Sequence, residues 1–206
     1  SLSTVRRILI THDHADHIKS VGAFCHDYNV PVYATEKVHS GIERNYCVQR
    51  KLPKEFKLFL EPGTSVRLGD FMVTPFLVPH DASENVGYKI EVDGLIFVIM
   101  TDAGSVTEEM KTFIAEANYL VIEANHDVEM LLGGPYPQYL KDRIISPNGH
   151  LSNKECGQVL AENMSEQLKH VWLCHLSEEN NHPELARKTV DAILRSYGII
   201  PDKDIQ

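Results

Sequence analysis

The segment Thr11–His17, THDHADH, places four candidate metal ligands, His12, His14, Asp16 and His17, within six residues. It follows a run rich in isoleucine and leucine, so the ligands leave the end of an expected strand. One residue separates His12 from His14, which lets both imidazoles reach one ion from a loop. Asp16 and His17 fall at the start of the next expected helix and can turn toward a second ion. Zinc accepts imidazole nitrogen and carboxylate oxygen. Two divalent ions held side by side can share a hydroxide and grip both oxygens of a centre being hydrolysed. The pattern therefore points to metal-assisted hydrolysis.

Three further candidates stand alone, each just past an apolar run. His80 follows FMVTPFLVP, Asp102 follows LIFVIMT and His175 follows HVWLC. A lone histidine after a strand is ordinarily a surface or core residue. In one chain with HDHADH, the three read as ligands, because strand ends let a rigid sheet fix the side chains of loops. Asp102 offers two oxygens and suits a bridge between two cations. His150, in PNGHLSNKE, precedes a capped helix whose N-terminus favours an anion. An imidazole there can donate a hydrogen bond or a proton to a phosphate oxygen. In EANHD, His126 is a candidate for the pocket or a metal contact, while Asn125 and Asp127 equally suit a turn. Ser177 is a candidate substrate contact. Asp13 is expected to orient one of its histidine neighbours, and Asp81 is a further carboxylate beside His80.

The elements that must hold these residues are legible as alternating patterns. A strand is expected over Val5–Thr11, a helix over Asp16–Tyr28 and a strand over Val30–Tyr33. Thr35 can cap a helix reaching about Arg50, and an irregular link runs from Leu52 to Gly63. Period-two patterns then cover Ser65–Leu68, Phe71–Val78, Gly87–Val92 and Leu95–Met100, the last two joined by the hairpin pair Asp93–Gly94. Beyond them come a helix over Val106–Ala115, a strand over Tyr119–Glu123 and a short irregular helix over Pro135–Ile144. Ser152 and Glu155 form a capping box for a helix to Asn163. A strand over His170–Cys174 and a helix from Pro183 to Tyr197 complete a mixed α/β chain without internal repeats.

The chain has 206 residues, enough for one domain with a substantial core. No apolar run has the length of a membrane span, and the first residues lack a signal-peptide pattern. Four widely spaced cysteines, Cys25, Cys47, Cys156 and Cys174, form no C-x-x-C pair and read as free thiols of a reducing compartment. The formal net charge of −9 argues against a surface coated in phosphate-binding lysines. It leaves a nuclease open, since bound divalent ions bring positive charge to the place a phosphate would occupy.

THDHADHIKSVGAFCHDYNVPVYAT resembles the metallo-β-lactamase superfamily. With PHDASENVGYKI, TDAG, EANHD, GHLSN and HLSEENN, the chain is similar over essentially its whole length to the nuclease-like YycJ, VicX or WalJ family. The resemblance implies a four-layer αββα sandwich and two divalent ions, with zinc, manganese and iron all compatible with such ligands. It implies His12, His14 and His80 on one ion, Asp16, His17 and His175 on the other, and Asp102 between them. Asp16, Asp102 and His150 would carry catalysis, the last assisting the leaving group. The implied activity is phosphodiester hydrolysis, with DNA exonuclease action in the cytoplasm favoured over RNA cleavage. Against the family pattern, residues 1–206 read as one domain lacking its first strands. Two other readings share the ligand set: a hydrolase of small thioesters, lactams or cyclic phosphodiesters, and a regulatory protein that keeps a metal site without catalysis.

Overall fold

The structure is a computed structural model and describes residues 4–205. Three short strands, β1 (Ile8–Leu9), β2 (Val32–Ala34) and β3 (Lys57–Phe59), form a parallel sheet in that order. Six strands form the larger sheet in sequence order: β4 (Val66–Leu68), β5 (Phe71–Leu77), β6 (Val86–Val92), β7 (Leu95–Met100), β8 (Tyr119–Glu123) and β9 (His170–Cys174). Pairing is antiparallel from β4 to β7 and parallel from β7 to β9. The helices are α1 (Ala15–Ile18), α2 (Val21–Tyr28), α3 (Glu36–Arg44), α4 (Glu108–Glu116), α5 (Val128–Gly133), α6 (Gln138–Ile145), α7 (Asn153–Asn163) and α8 (Pro183–Ser196). No helix among the described residues is long and apolar enough to cross a membrane.

Three apolar clusters define the layers. Ile18, Val21 and Cys25 of α1 and α2, with Val38 and Ile42 of α3, pack on Val32 and Ala34 of the small sheet. Leu9 and Tyr33 meet Val73, Val86 and Tyr88 between the sheets. On the far side, Val98, Met100, Leu120 and Ile122 pack against Met110 and Ile114 of α4, Leu160 of α7 and Val190 and Leu194 of α8. The period-two alternation of β7 produces this division, since Val98 and Met100 face the helices while Ile99 joins the inter-sheet cluster. Each such buried aliphatic side chain contributes ~1.5–3 kcal/mol of transfer free energy. The result is the αββα sandwich. The buried Tyr88 hydroxyl donates to the Ile10 carbonyl at 2.6 Å, and Val86 N–H donates to Thr11 O at 3.0 Å. Both bonds tie the large sheet to the entry of the histidine loop.

Most expected elements are present, with instructive differences. The hairpin turn has both Asp93 (φ 50°) and Gly94 (φ 76°) in the left-handed region, as a two-residue turn of this twist requires. The helix expected over Asp16–Tyr28 is two helices, broken by a turn at Lys19–Ser20. Helix α3 stops at Arg44 because Asn45 turns its side chain back on the chain, its Oδ1 accepting from Cys47 N–H at 3.1 Å. The link expected to be irregular holds β3, whose three residues are too few to show alternation. Helix α5 is an additional element, capped by Asp127, whose carboxylate accepts from Met130 N–H at 3.0 Å. All four cysteines are free thiols.

Candidate metal centre

Five strand exits converge at one end of the sandwich. His12 leaves β1, His80 leaves β5, Asp102 leaves β7, Glu123 ends β8 and His175 leaves β9. Strands β7, β8 and β9 run parallel, and β5 shares their direction through two antiparallel steps. Their carboxyl ends therefore open onto a single crevice, the place where open α/β sheets bind ligands.

Within that crevice, candidate ligand atoms of His12, His14 and His80 lie within 4.8 Å of one another, as do those of Asp16, His17 and His175. Asp102 stands between the two groups. Its Oδ1 lies 3.9 Å from His12 Nε2, 3.8 Å from His80 Nε2 and 3.4 Å from His175 Nε2, and its Oδ2 lies 3.4 Å from His17 Nε2. The Thr101 hydroxyl donates to Oδ2 at 2.8 Å, and the buried Asn85 amide donates to the Asp102 carbonyl at 2.9 Å. Asp102 and His175 both have left-handed backbones, φ 56° and 53°. Asp and His are among the residues that tolerate this region best.

His12 shows what such a site is for. Its ring is fully buried, Nδ1 lies 3.0 Å from the Thr11 hydroxyl, and Nε2 has no hydrogen-bond partner among the described residues. Burial, then the neighbouring histidines, pushes its pKa down to about 2. It is a neutral imidazole whose Nε2 is buried without a partner among the described residues, and a nitrogen left so is costly unless a ligand such as a cation occupies its direction. Burial likewise lowers the pKa of His80, against the pull of Asp102. His175 goes the other way. Burial disfavours its charged form, but the hydrogen bond to Glu123 and the charges of Asp102, Glu123 and Asp16 raise its pKa to about 9. Buried neutral imidazoles on one side and a cluster of carboxylates drawing charge onto His175 on the other make a donor set that fits divalent cations.

Glu123 is the main group that sequence reasoning missed. Its fully buried carboxylate accepts from His150 Nδ1 at 2.8 Å and His175 Nδ1 at 2.7 Å, both on Oε1. The backbone N–H groups of Ala103 and Leu151 donate to Oε2 at 2.8 and 3.3 Å. Burial opposes the charge, yet the two imidazoles hold the carboxyl below the usual range. Because Nδ1 carries the proton in both rings, Nε2 is the nitrogen each has left for the crevice. His150 lies 4.9 Å from His80 and 5.2 Å from His175, ring centre to ring centre.

A buried amide pair locks the surrounding segments together. Asn153 Nδ2 donates to Asn181 Oδ1 and Asn181 Nδ2 to Asn153 Oδ1, each at 2.9 Å, and Asn181 Nδ2 also reaches the carbonyls of Ala124 and Asn125. Asn125 Nδ2 donates to the His175 carbonyl at 2.9 Å. Asn125 and Ser177 line a cavity of about 320 Å³ that also reaches His14, His150 and His175.

Two expectations are corrected. His126 does not line that cavity: its ring is enclosed, 2% exposed, and its carbonyl is engaged by Asn153 N–H as α7 begins. Among the described residues Asp13 makes no bond to a histidine. Its carboxylate accepts from the N–H and hydroxyl of Ser83 at 3.1 and 2.6 Å, fastening the histidine loop to the loop after β5. Helix α3 passes so close that a Cβ at Gly41 would lie 1.9 Å from Asp13 Oδ2.

Gly104 makes a similar approach beside the site. A Cβ there would lie 2.3 Å from Gly149 N and 2.5 Å from Pro147 O, so the loop after Asp102 rests directly on the loop carrying His150. Gly104→Ala is expected to destabilise the protein by about 1–3 kcal/mol. It should also lower kcat, because the backbone that gives way carries His150. Thermal melting and steady-state kinetics on the same preparation measure both effects.

The profile of the Beta-lactamase superfamily domain matches residues 1–175. Exodeoxyribonuclease YycJ of Bacillus anthracis is 38% identical over 198 residues, covering 96% of this chain and 74% of that protein. Exodeoxyribonuclease WalJ of Streptococcus pneumoniae is 39% identical over 183 residues, 89% of this chain and 68% of its own length. Among solved structures, the metallo-β-lactamase-fold protein YhfI of Bacillus subtilis superposes with a TM-score of 0.69 at 16% identity, covering 94% of this chain and 73% of that one. This last likeness concerns the fold alone.

Proposed function

The chain belongs to the metallo-β-lactamase superfamily, in the family of YycJ and WalJ, and is a metal-dependent hydrolase; from that premise we propose that its substrate is DNA and its action exonucleolytic. The observation that carries the reading is His150. It sits beside both ligand groups with Nδ1 fixed by Glu123 and Nε2 uncommitted, a placement that suits a donor to a phosphate oxygen or a leaving alkoxide.

In this reading His12, His14 and His80 would hold one divalent ion and Asp16, His17 and His175 the other, with Asp102 available to both. Such ions, zinc or manganese, supply Lewis acidity and a nucleophile at neutral pH. The chain's own contributions are distinct. Asp102 and Asp16 set the negative charge that balances the cations. Thr101 and Asn85 fix the direction of Asp102. Glu123 holds the Nδ1–H of His150 and of His175, so that Nε2 of His150 faces the crevice and, when that ring is doubly protonated, donates to the phosphate as negative charge grows there. Four free thiols support a reducing, cytoplasmic setting.

A small ester is the second reading, because the cavity beside the site is of ligand size and has Tyr136, Leu140 and Ile144 among its lining residues. One assay separates the two. Labelled duplex DNA, single-stranded DNA and RNA are incubated with Mn²⁺ or Zn²⁺, or with chelator. Metal-dependent shortening of DNA is the expected result. Inactivity on all three, by folded protein with metal bound, overturns the polynucleotide reading and leaves cyclic phosphodiesters and thioesters to be tried.

A further inference from the structure

We propose that Arg143 forms a second anion subsite beside the metal centre, one that takes a non-scissile phosphate of the bound strand. The inference rests on the phosphodiesterase reading above and adds to it how a chain is told from a single ester.

Arg143 lies in α6 and lines the same cavity as His14, His150 and His175. Its Nε donates to Asp81 Oδ2. The other oxygen of Asp81 points at the ligand cluster, 3.5 Å from His80 Nε2 and 3.9 Å from His14 Nε2. One carboxylate thus spaces the guanidinium from the candidate metal ligands and fixes its direction. The pair is made through Nε alone. Among the described residues neither Nη makes a hydrogen bond, although the side chain is 56% exposed.

The Nη1–Nη2 edge is a planar fork of N–H donors that stays charged at any working pH, and its geometry matches two oxygens of a phosphate. Arg143 borders the cavity that runs to the metal ligands, next to Tyr136, Leu140 and Ile144. Apolar walls beside a cation suit the sugar and base of a nucleotide with its phosphate on the arginine. In a chain of net charge −9, a guanidinium with donors to spare beyond its pair with Asp81, set beside the crevice, gives a polyanion a definite register.

The test removes one charge at a time from the substrate. Short oligonucleotides, each with a single neutral methylphosphonate linkage, are cleaved by the metal-loaded wild type and by Arg143→Ala, and the first cleavage is followed. In the wild type, one linkage other than the scissile one should lower kcat/KM about 10- to 100-fold, mainly through KM, as losing a hydrogen-bonded charge pair implies. In Arg143→Ala that linkage should no longer matter. Arg143→Gln, which can keep a hydrogen bond to Asp81, serves the same purpose if alanine loosens α6. A wild type indifferent to every neutral linkage overturns the subsite, as does a variant with the same sensitive position as the wild type. A wild type that hydrolyses bis(4-nitrophenyl) phosphate but no oligonucleotide overturns the polynucleotide reading itself, and the subsite with it.

Discussion

Asp102→Asn should reduce kcat/KM by ~10³-fold or more, since contacts with two catalytic cations are worth several kcal/mol in the transition state. Asparagine keeps the size of the side chain and tolerates the left-handed backbone found at φ 56°, so the substitution removes charge while the fold survives. Alanine would add a conformational penalty and blur the result. What disappears is a carboxylate within 3.4–3.9 Å of nitrogens from both ligand groups, the only such one among the described residues. Elemental analysis of the purified variant should find fewer than two ions per chain, with a melting transition that remains cooperative. Two tightly held ions and near-normal turnover in Asp102→Asn would remove it from the centre of the site.

Glu123→Gln should lower kcat by about 10- to 100-fold and weaken metal binding by a similar factor, in line with other partners of ligating histidines. The side chain has four donors around it: two imidazole Nδ1–H groups on one oxygen and two backbone N–H groups near the other. An amide has only one acceptor atom. Turned one way, its NH₂ faces the backbone donors of Ala103 and Leu151. Turned the other, it faces the two histidines. Relief then requires the imidazoles to move their protons to Nε2, which for His175 is the nitrogen needed for a metal, and it removes the anion that supports a doubly protonated His150. Nitrogen-15 spectra of the imidazoles should show the change of tautomer directly. Unaltered tautomers together with unaltered metal affinity would show that Glu123 only fills space.

The positions of His12, His14, His80, Asp102 and His175 were legible because each follows an apolar run, and a sheet brings the ends of its parallel strands together whatever the loops do. Glu123 was hidden by the same grammar. In YLVIE it closes a strand and reads as the first polar residue outside, whereas alternation turns Leu120 and Ile122 to the helices and leaves Glu123 on the side of the site. A carboxylate in step with the inward face of a buried strand was the available signal. The role of Asp13 is not legible in the sequence, because its neighbours there are ligands, while its partner, Ser83, is 70 residues away. No local pattern announces such a contact. The same holds for Arg143 and Asp81, and for the amide pair of Asn153 and Asn181. The helix ends at Lys19–Ser20 and Asn45 were set by turn chemistry that competes with a continuing apolar stripe, and the stripe alone did not show which would win.

The left-handed backbones of Asp102 and His175 impose a restriction of a different kind. Handedness acts there as a filter on heredity. Most L-residues, and the β-branched ones above all, meet a steric penalty at these positions before any question of function arises. The set that passes is small: glycine, asparagine, aspartate and histidine. Two of these bind metals and two do not. A descendant that abandoned hydrolysis would therefore be expected to carry asparagine or glycine at 102 and 175 rather than a random assortment. Lineages that kept the chemistry and lineages that lost it should then be separable by reading two letters.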